Sequence, residues 1–324
     1  MRTAVSVVYS THRRDPAFRW FADGLARQIG DDHVELVVVD GHDGPDRTDE
    51  FDAAAAGRFE LRHVRAKPTV FNGTHRRVRR DMHAAASARN TGIVVASEHY
   101  VVFVDDCSVP MPGWWDEVSE AARHHYVVAG SYQKHREMHV VDGELVSSRS
   151  DRSGLDVRWD AGDHGRVVPI RGAHLFGCSV GMPRDLLLDL DGFDELCDGL
   201  GGEDYQLGLR LELAGVPLFY SRRMLTIESH EHHSGDGPQF VRADPELGEP
   251  AYPRRLASFG VDARSTDGRC DASHMVLDLV LGLGATRSLG NHRPLADLRP
   301  ECLESTADSL PTTSWFDGRD LGDL

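Results

Sequence analysis

Two adjacent carboxylates, Glu203 and Asp204, stand at the start of a predicted helix. Apolar residues follow them at positions i, i+4 and i+7, and Gly215 ends the pattern, which predicts one amphipathic helix. The helix dipole favours ionised carboxylates in the first turn, and Gly201 and Gly202 let another group approach the backbone closely. The pair is therefore a candidate functional site, although the same pattern also fits an acidic surface helix.

A second pair of carboxylates, Asp105 and Asp106, directly follows the apolar run at residues 99–104. The run predicts a buried strand, so both side chains are expected at its carboxyl end. Carboxylate oxygens are the ligands that hard cations such as Mg²⁺ and Mn²⁺ prefer. Two aspartates after a strand are a weak signal by themselves, and the second carboxylate pair adds to it.

The elements that position these residues begin with two β-branched apolar runs, at residues 4–9 and 34–39, separated by a predicted helix at 18–28. Strand, helix and strand in this order form a βαβ unit, which builds parallel sheets. Ligands of such sheets bind at the carboxyl ends of the strands, where Thr11 and Asp40 are expected. Further short strands are predicted at residues 59–64, 127–132, 167–170, 217–220 and 224–227.

The connecting segments differ in composition. A helix at residues 81–91 is predicted to end in the run SARNTG, which contains Arg89. The basic stretch at 62–80 is interpreted mainly as a solvated loop, and the polar stretch at 144–164 is predicted to be a loop. We expect residues 236–324, which are rich in Gly, Pro and charge up to about residue 268, to form an appended region.

The composition narrows the classes of protein. The 324 residues carry a net charge of −16, which argues against a general binder of the nucleic-acid backbone. We expect no signal peptide, and no apolar run approaches the roughly 18 residues of a membrane-spanning helix. The cysteines are scattered without CxxC pairs, which predicts a reduced, cytoplasmic protein; they lie at positions 107, 178, 197, 270 and 302.

The sequence DGFDE at residues 191–195, followed by GGED at 201–204, resembles family 2 glycosyltransferases and their GT-A relatives over about residues 3–233. The resemblance implies that Asp204 is the catalytic base, which removes a proton from the acceptor hydroxyl, and that Glu203 binds a sugar hydroxyl. Several relatives have Trp before GGED where this chain has Leu200, which leaves the acceptor undefined.

The same resemblance implies a nucleotide-sugar site. Thr11 and Asp40 would hold the uridine of a UDP-sugar, with Asp40 at the uracil, and Arg89 of the ARNxG sequence would pair with the diphosphate. Asp105 would contact the ribose or the sugar. Gly201 and Gly202 complete the set of donor-binding residues.

A divalent cation, Mn²⁺ or Mg²⁺, is the implied cofactor. Asp106 and a histidine about 25 residues after GGED would be its ligands; we favour His230 over His232. Many relatives have a third aspartate where this chain has Cys107, so the metal ligand is assigned to Asp106.

The resulting fold class is α/β: a GT-A, Rossmann-like, mixed and mostly parallel sheet flanked by helices. Residues 1–235 would form the catalytic domain, and residues 236–324 would cover the site, recognise the acceptor or mediate oligomer contacts. The acceptor stays open among a glycan, a lipid-linked sugar, a small molecule, a protein and modified DNA.

The predicted function is metal-dependent transfer of a sugar from a nucleotide sugar, with inversion at the anomeric carbon. One alternative is a binding protein with a catalytically dead site, although the retention of Asp106, Asp204 and His230 argues against it. A sugar-phosphate nucleotidyltransferase is the other alternative, but such enzymes carry GxGxR after the first strand, where this chain has STHR at 10–13.

Overall fold

The computed structural model describes residues 3–41, 46–67, 84–161, 166–198, 201–231, 280–291 and 293–303. Within these residues one mixed sheet of ten strands is covered by helices on both faces. The strands are β1 (Ala4–Thr11), β2 (His33–Asp40), β3 (Glu60–Arg65), β4 (Tyr100–Asp105), β5 (Ser108–Pro110), β6 (Val127–Val141), β7 (Glu144–Leu155), β8 (Val168–Pro169), β9 (Ser179–Pro183) and β10 (Leu218–Ser229).

The helices alternate with these strands along the first half of the chain, as a βαβ pattern predicts. Short 3-10 helices lie at Gly172–His174, Glu195–Cys197, Leu295–Asp297 and Pro300–Cys302. The α-helices are α1 (Phe18–Ala26), α2 (Arg47–Ala55), α3 (Ala85–Val95), α4 (Trp114–His124), α5 (Arg184–Asp189) and α6 (Glu203–Leu213).

The strand order along the sheet is β3-β2-β1-β4-β9-β6-β10-β5. The half from β3 to β4 is parallel throughout, while β9 enters antiparallel between β4 and β6, and β6 and β10 are parallel to each other. This arrangement confirms the predicted α/β class with a mixed, mostly parallel sheet flanked by helices.

The hydrophobic core has two parts, one on each face of the sheet, because successive side chains of a strand point to opposite faces. On β1, Val5, Val7 and Tyr9 pack with α1, α2 and α4 on one face, whereas Val8 packs with α3, α5 and α6 on the other. A sheet that is buried on both faces needs strands that are apolar at every position. This is why β1, β2 and β4 have nearly continuous apolar sequences.

The carboxyl ends of the parallel strands meet at one edge of the sheet. Thr11 is in register with Asp40 on β2, and Ser10 is in register with Asp105 on β4. The register therefore places Thr11, Asp40 and Asp105 side by side, at the edge where the βαβ pattern predicts a ligand.

The hairpin of β6 and β7 contradicts the sequence-based prediction of a loop at 144–164. β6 also runs nine residues beyond the predicted end at residue 132. Asp142 and Gly143 join the strands with positive φ angles of 48° and 75°, which is the geometry of a two-residue type I′ turn. The ribbon is largely polar beyond residue 132, so no apolar alternation marks it in the sequence.

Three smaller differences concern α2, α3 and β10. The sequence does not predict α2, α3 extends to Val95 instead of ending at residue 91, and the two strands predicted at 217–227 are one strand, β10, with an irregularity between Ser221 and Leu225. Most of the predicted basic loop, residues 68–80, and most of the predicted appended region lie outside the described residues. In the part of the chain that the structure describes, no helix combines the length and apolar character that crossing a bilayer requires.

Candidate active site

The first turn of α6 carries Glu203 and Asp204, as predicted. Gly201 and Gly202 precede it with φ angles of 81° and 85°, a left-handed conformation that glycine adopts without steric cost. The Gly202 carbonyl accepts the first helical hydrogen bond, from the Gln206 amide at 2.9 Å. The two glycines thus turn the chain sharply into the helix and bring both carboxylates to its start.

Two backbone amides orient the Asp204 carboxylate. The Gly177 amide donates to Oδ2 at 2.7 Å, and the amide of Tyr205 donates to Oδ1 at 2.7 Å. Asp204 is half-buried. Its carboxylate is therefore fixed in orientation, while the residue remains partly accessible.

Arg89 on α3 joins the two carboxylate pairs. Its guanidinium donates through Nη1 to Glu203 Oε1 and through Nη2 to Asp105 Oδ1, the latter at 2.9 Å. The guanidinium carbon also lies 5.4 Å from the ring centroid of Phe193. The structure thus brings the Asp105 and Glu203 side chains to one buried cation.

The charges of this cluster depend on one another. Burial lowers the pKa of Arg89, but the carboxylates of Glu203, Asp105 and Asp204 outweigh this effect and the net pKa is raised. Burial raises the pKa of Glu203, and Arg89 opposes the shift only in part. Removal of one partner would leave an uncompensated buried charge, which is strongly destabilising.

Asp106 is buried and held by two side chains at the end of β1 and just after it. Thr11 Oγ1 donates to Asp106 Oδ2 at 2.7 Å, and Arg13 Nε donates to Oδ1 at 3.0 Å. Burial raises the pKa of Asp106, and the Arg13 charge and both hydrogen bonds oppose the shift. Arg13 is not among the predicted site residues, because its contact with Asp106 spans 93 positions of the sequence.

Asp40 is fully buried beside the loop that follows β1. Its Oδ2 accepts from Arg47 Nε at 2.8 Å, and Arg47 Nη1 and Nη2 donate to the Arg14 and Arg13 carbonyls at 2.7 and 3.0 Å. Through Arg47, Asp40 therefore fixes the loop that carries Arg13. Its predicted contact with the nucleotide base stays a prediction.

His230 directly follows Ser229, the last residue of β10. Ser229 is hydrogen-bonded to Cys107, the residue after Asp106. The Ser229 amide donates to the Cys107 carbonyl at 3.0 Å, and Cys107 has a left-handed φ of 54°. The two predicted metal ligands, Asp106 and His230, thus stand on chain segments that are hydrogen-bonded to each other. His232 lies outside the described residues.

The carboxylate of Asp106 suits Mg²⁺ or Mn²⁺, and the imidazole of His230 suits a transition metal such as Mn²⁺ better than Mg²⁺. The two hydrogen bonds to Asp106 engage two of the roughly four lone-pair sites of a carboxylate, and imidazole and carboxylate are both established metal ligands. Among the described residues, no group of three or more His, Cys, Asp or Glu has metal-binding geometry. Substrate phosphates commonly supply further ligands to a cation that is held by one or two protein groups.

The two aspartates of the DGFDE sequence are buried and accept hydrogen bonds from α6 and from the C-terminal part of the chain. Asp191 Oδ1 accepts from the Leu295 amide at 2.7 Å, and Asp194 Oδ2 accepts from Gln206 Nε2 at 2.8 Å and the Leu289 amide at 2.7 Å. The motif is therefore a buried junction between α6 and residues 288–291 and 293–295, which we call the C-terminal strap.

The loop at residues 174–178, here called the site loop, lies between the two carboxylate pairs. Its Gly177 amide donates to Asp204, and its Cys178 carbonyl accepts from the Asp105 amide at 3.2 Å. A Cβ at position 177 would stand 2.8 Å from Arg89 Nη2, so glycine allows the close approach of the guanidinium. Both contacts are made by backbone groups, so the side chains of the loop do not indicate them.

Comparison with known proteins identifies a family for the N-terminal half of the chain. The family model described as Glycosyl transferase family 2 matches residues 6–172, about half of the chain. The match includes Asp105 and Asp106 and ends before Glu203 and Asp204.

A curated relative, validoxylamine A glucosyltransferase from Streptomyces hygroscopicus subsp. limoneus, is 26% identical over 274 residues, which cover 75% of this chain and 57% of that protein. The crystal structure of GalNAc-T7 with UDP, GalNAc and Mn²⁺ superposes with a TM-score of 0.56 and 13% identity, over 89% of this chain and 56% of that one. The latter shows a shared fold. This chain spans just over half the length of either protein.

Proposed function

Because the chain belongs to glycosyl transferase family 2, we propose that it transfers a sugar from a UDP-sugar to an acceptor hydroxyl, with a divalent cation and with inversion at the anomeric carbon. The observation that carries this proposal is the Arg89 bridge from Asp105 to Glu203. It joins a carboxylate at the proposed donor edge of the sheet to the helix start that bears Asp204.

Asp204 is assigned as the general base. The amides of Gly177 and Tyr205 hold the carboxylate in one orientation, so that it can accept the proton of the acceptor hydroxyl while the oxygen attacks the anomeric carbon. A single displacement of this kind inverts the configuration. Asp204 is half-buried, so part of the residue is accessible.

Glu203 is assigned two contacts. One carboxylate oxygen accepts from Arg89, and we assign the other to a hydroxyl of the donor sugar. This assignment ties the sugar position to Arg89, and we assign Arg89 to the diphosphate because a guanidinium suits phosphate oxygens. Thr11, Asp40, Gly201 and Gly202 complete the proposed donor site.

Asp106 and His230 would hold Mn²⁺ or Mg²⁺. When bound, the cation neutralises the negative charge that develops on the leaving nucleoside diphosphate. Thr11 and Arg13 keep the Asp106 carboxylate in place within a buried environment.

The choice of UDP and of the sugar rests on similarity. The GalNAc-T7 structure contains UDP, GalNAc and Mn²⁺, and the curated relative is named as a glucosyltransferase. UDP-glucose and UDP-GalNAc are therefore the first donors to test. The acceptor class stays open.

The test is release of UDP from a panel of nucleotide sugars, with Mn²⁺ or EDTA, by the wild-type chain, Asp106→Ala and Asp52→Ala. Water takes the place of the unknown acceptor. Asp52 is exposed on α2 and provides the matched control. We expect slow, metal-dependent release from one donor, lost in Asp106→Ala and unchanged in Asp52→Ala.

Two results would contradict the proposal. Release that is insensitive to EDTA would contradict the proposed metal dependence and the assignment of Asp106 and His230 as metal ligands. If no nucleotide sugar is turned over and none causes a thermal shift, the proposed catalytic role is wrong. That result would favour a binding protein with a dead site.

A further inference from the structure

The site loop is held from two sides. On one side, the 3-10 helix Gly172–His174 packs directly on α6, where a Cβ at Gly172 would stand 2.2 Å from the Gly208 carbonyl oxygen. On the other side lies Arg158, whose side chain is 1% exposed. The loop thus connects the helix of Asp204 with a buried cation that the proposed chemistry does not use.

Arg158 contacts the site loop at a backbone carbonyl and at an aromatic ring. Its Nη1 donates to the His174 carbonyl at 3.0 Å, and its guanidinium carbon lies 4.4 Å from the Phe176 ring centroid. Gly177 comes next in the chain and donates to Asp204. Arg158 therefore holds the loop at Phe176, directly before the backbone donor to Asp204, and at His174, three residues before it.

Arg158 is itself fixed by a dense set of partners. Its Nε and Nη2 donate to the Asp156 carboxylate at 2.9 and 2.7 Å, Nη2 also donates to the Gly130 carbonyl at 2.7 Å, and the Tyr220 ring centroid lies 4.7 Å from its guanidinium carbon. A planar guanidinium with several engaged donors has a single orientation. Arg158 can therefore hold the site loop in a fixed position relative to β6 and β10.

We propose that Arg158 is a positioning residue that sets the orientation of the Asp204 carboxylate through the site loop, by its contacts with His174 and Phe176 and the Gly177 hydrogen bond. This inference rests on the proposed function, in which Asp204 is the base. Loss of these contacts lets the Gly177 amide move away from Asp204. A small misplacement of a catalytic group can lower a rate by about a hundredfold.

The test compares Arg158→Met, Arg158→Lys and Phe176→Leu with the matched control Arg184→Met. Arg184 is half-buried and donates to the Ile93 carbonyl at 3.0 Å, and it belongs to α5 rather than to the surroundings of the site loop. Three quantities are measured: hydrogen exchange of the Gly177 amide, the stoichiometry and Kd of UDP binding, and kcat and KM for donor hydrolysis per UDP-binding site.

We expect Gly177 exchange at least about tenfold faster in Arg158→Met, and kcat per UDP-binding site roughly ten- to a hundredfold lower, with KM for the donor unchanged. Arg158→Lys should recover part of both effects because it keeps the charge, and Arg184→Met should show neither. A purely structural role would lower the UDP stoichiometry and leave kcat per site unchanged.

The outcomes separate the two proposals. Unchanged Gly177 exchange and wild-type kcat per site in Arg158→Met would overturn the positioning role. If Arg158→Met does not fold, Phe176→Leu decides by the same two measurements. If the wild-type chain hydrolyses no donor, the proposed function fails, and the exchange measurement still decides whether Arg158 holds Gly177.

Discussion

Two backbone amides fix the Asp204 carboxylate in orientation, and the residue is half-buried, which suits the proposed general base. We expect Asp204→Asn to lower kcat by about 10²- to 10⁴-fold, the usual contribution of a general base, because the amide cannot accept the proton. The Kd for UDP should stay within about twofold, since the proposed uridine and diphosphate contacts remain. Steady-state kinetics and calorimetry check both values.

The control is Asp189→Asn, which changes an exposed carboxylate at the end of α5 and should leave kcat unaltered. An Asp204→Asn variant with wild-type kcat would exclude the assigned base. A variant that lost UDP binding would instead place Asp204 in the donor site.

At the residue scale, the sequence identifies individual side chains better than their contacts. The resemblance selects Arg89, Asp105 and Glu203, but nothing in the sequence indicates that one guanidinium donates to both carboxylates. Arg13 escapes sequence analysis for the same reason. The Arg13–Asp106 contact depends on the register of β1 with β4, which only the folded sheet defines.

At the element scale, α3 lies so close to β1 that one helical position must be glycine. A Cβ at Gly92 would stand 2.3 Å from Val8 Cγ1, and Val8 is fully buried. We expect Gly92→Ala to lower the free energy of unfolding by about 1–3 kcal/mol, because overpacking a core outweighs the better helix propensity of alanine. Urea unfolding measures the difference.

Gly282→Ala is the matched control, since a Cβ there would meet nothing within 4 Å. It should be neutral or slightly stabilising. Equal stability of Gly92→Ala and the wild type would mean that α3 can move away from β1 at little cost.

We expect the link between α6 and the 3-10 helix Gly172–His174 to depend on pH, because Glu212 takes part in it. Hydrogen bonds from the Arg171 side chain and the Gly172 amide lower the pKa of Glu212. A carboxyl group with a lowered pKa in the folded state stabilises the fold above its unfolded pKa, and the contribution is lost as the pH falls through the folded pKa. Glu212→Gln should therefore lower Tm at about pH 7 and have a vanishing effect in acid.

Thermal unfolding of the wild type and Glu212→Gln between about pH 3 and pH 7 checks this, because the unfolded pKa of glutamate is about 4.3. Glu144→Gln is the control, since the Arg27–Glu144 pair is exposed on both sides and such pairs contribute little. A Tm difference for Glu212→Gln that did not change with pH would contradict the assigned origin.

The elements that the sequence predicts well are those buried on both faces. β1, β2 and β4 are nearly continuous apolar runs, so the sequence pattern predicts that these buried strands exist and where they lie along the chain. The β6–β7 ribbon has no such signal, although the Asp142–Gly143 pair is a recognised turn signal. That signal needs flanking apolar alternation to identify a hairpin, and β7 lacks it.

At the scale of the whole molecule, the sheet edge and α6 define the candidate site, and the C-terminal strap packs against the DGFDE sequence that comes before α6. The strap lies in the region 236–324, which is predicted to be appended to the catalytic domain; that boundary stays a prediction. The strap forms hydrogen bonds with the DGFDE sequence at Asp191 and Asp194. Sequence analysis does not find this contact because the strap has no periodic pattern.

Asn291 is the residue of the strap that links it most directly to the DGFDE backbone. It is 7% exposed, its Nδ2 donates to the Asp191 carbonyl at 2.6 Å, and its Oδ1 accepts from the Glu195 amide at 3.1 Å. Asn291→Ala leaves two backbone groups without these partners, so we expect the free energy of unfolding to fall by about 2–4 kcal/mol. Asp297→Ala, at an exposed position of the neighbouring 3-10 helix, should change it by less than about 0.5 kcal/mol. If urea unfolding shows no loss of stability in Asn291→Ala relative to Asp297→Ala, the strap is not part of the cooperative fold.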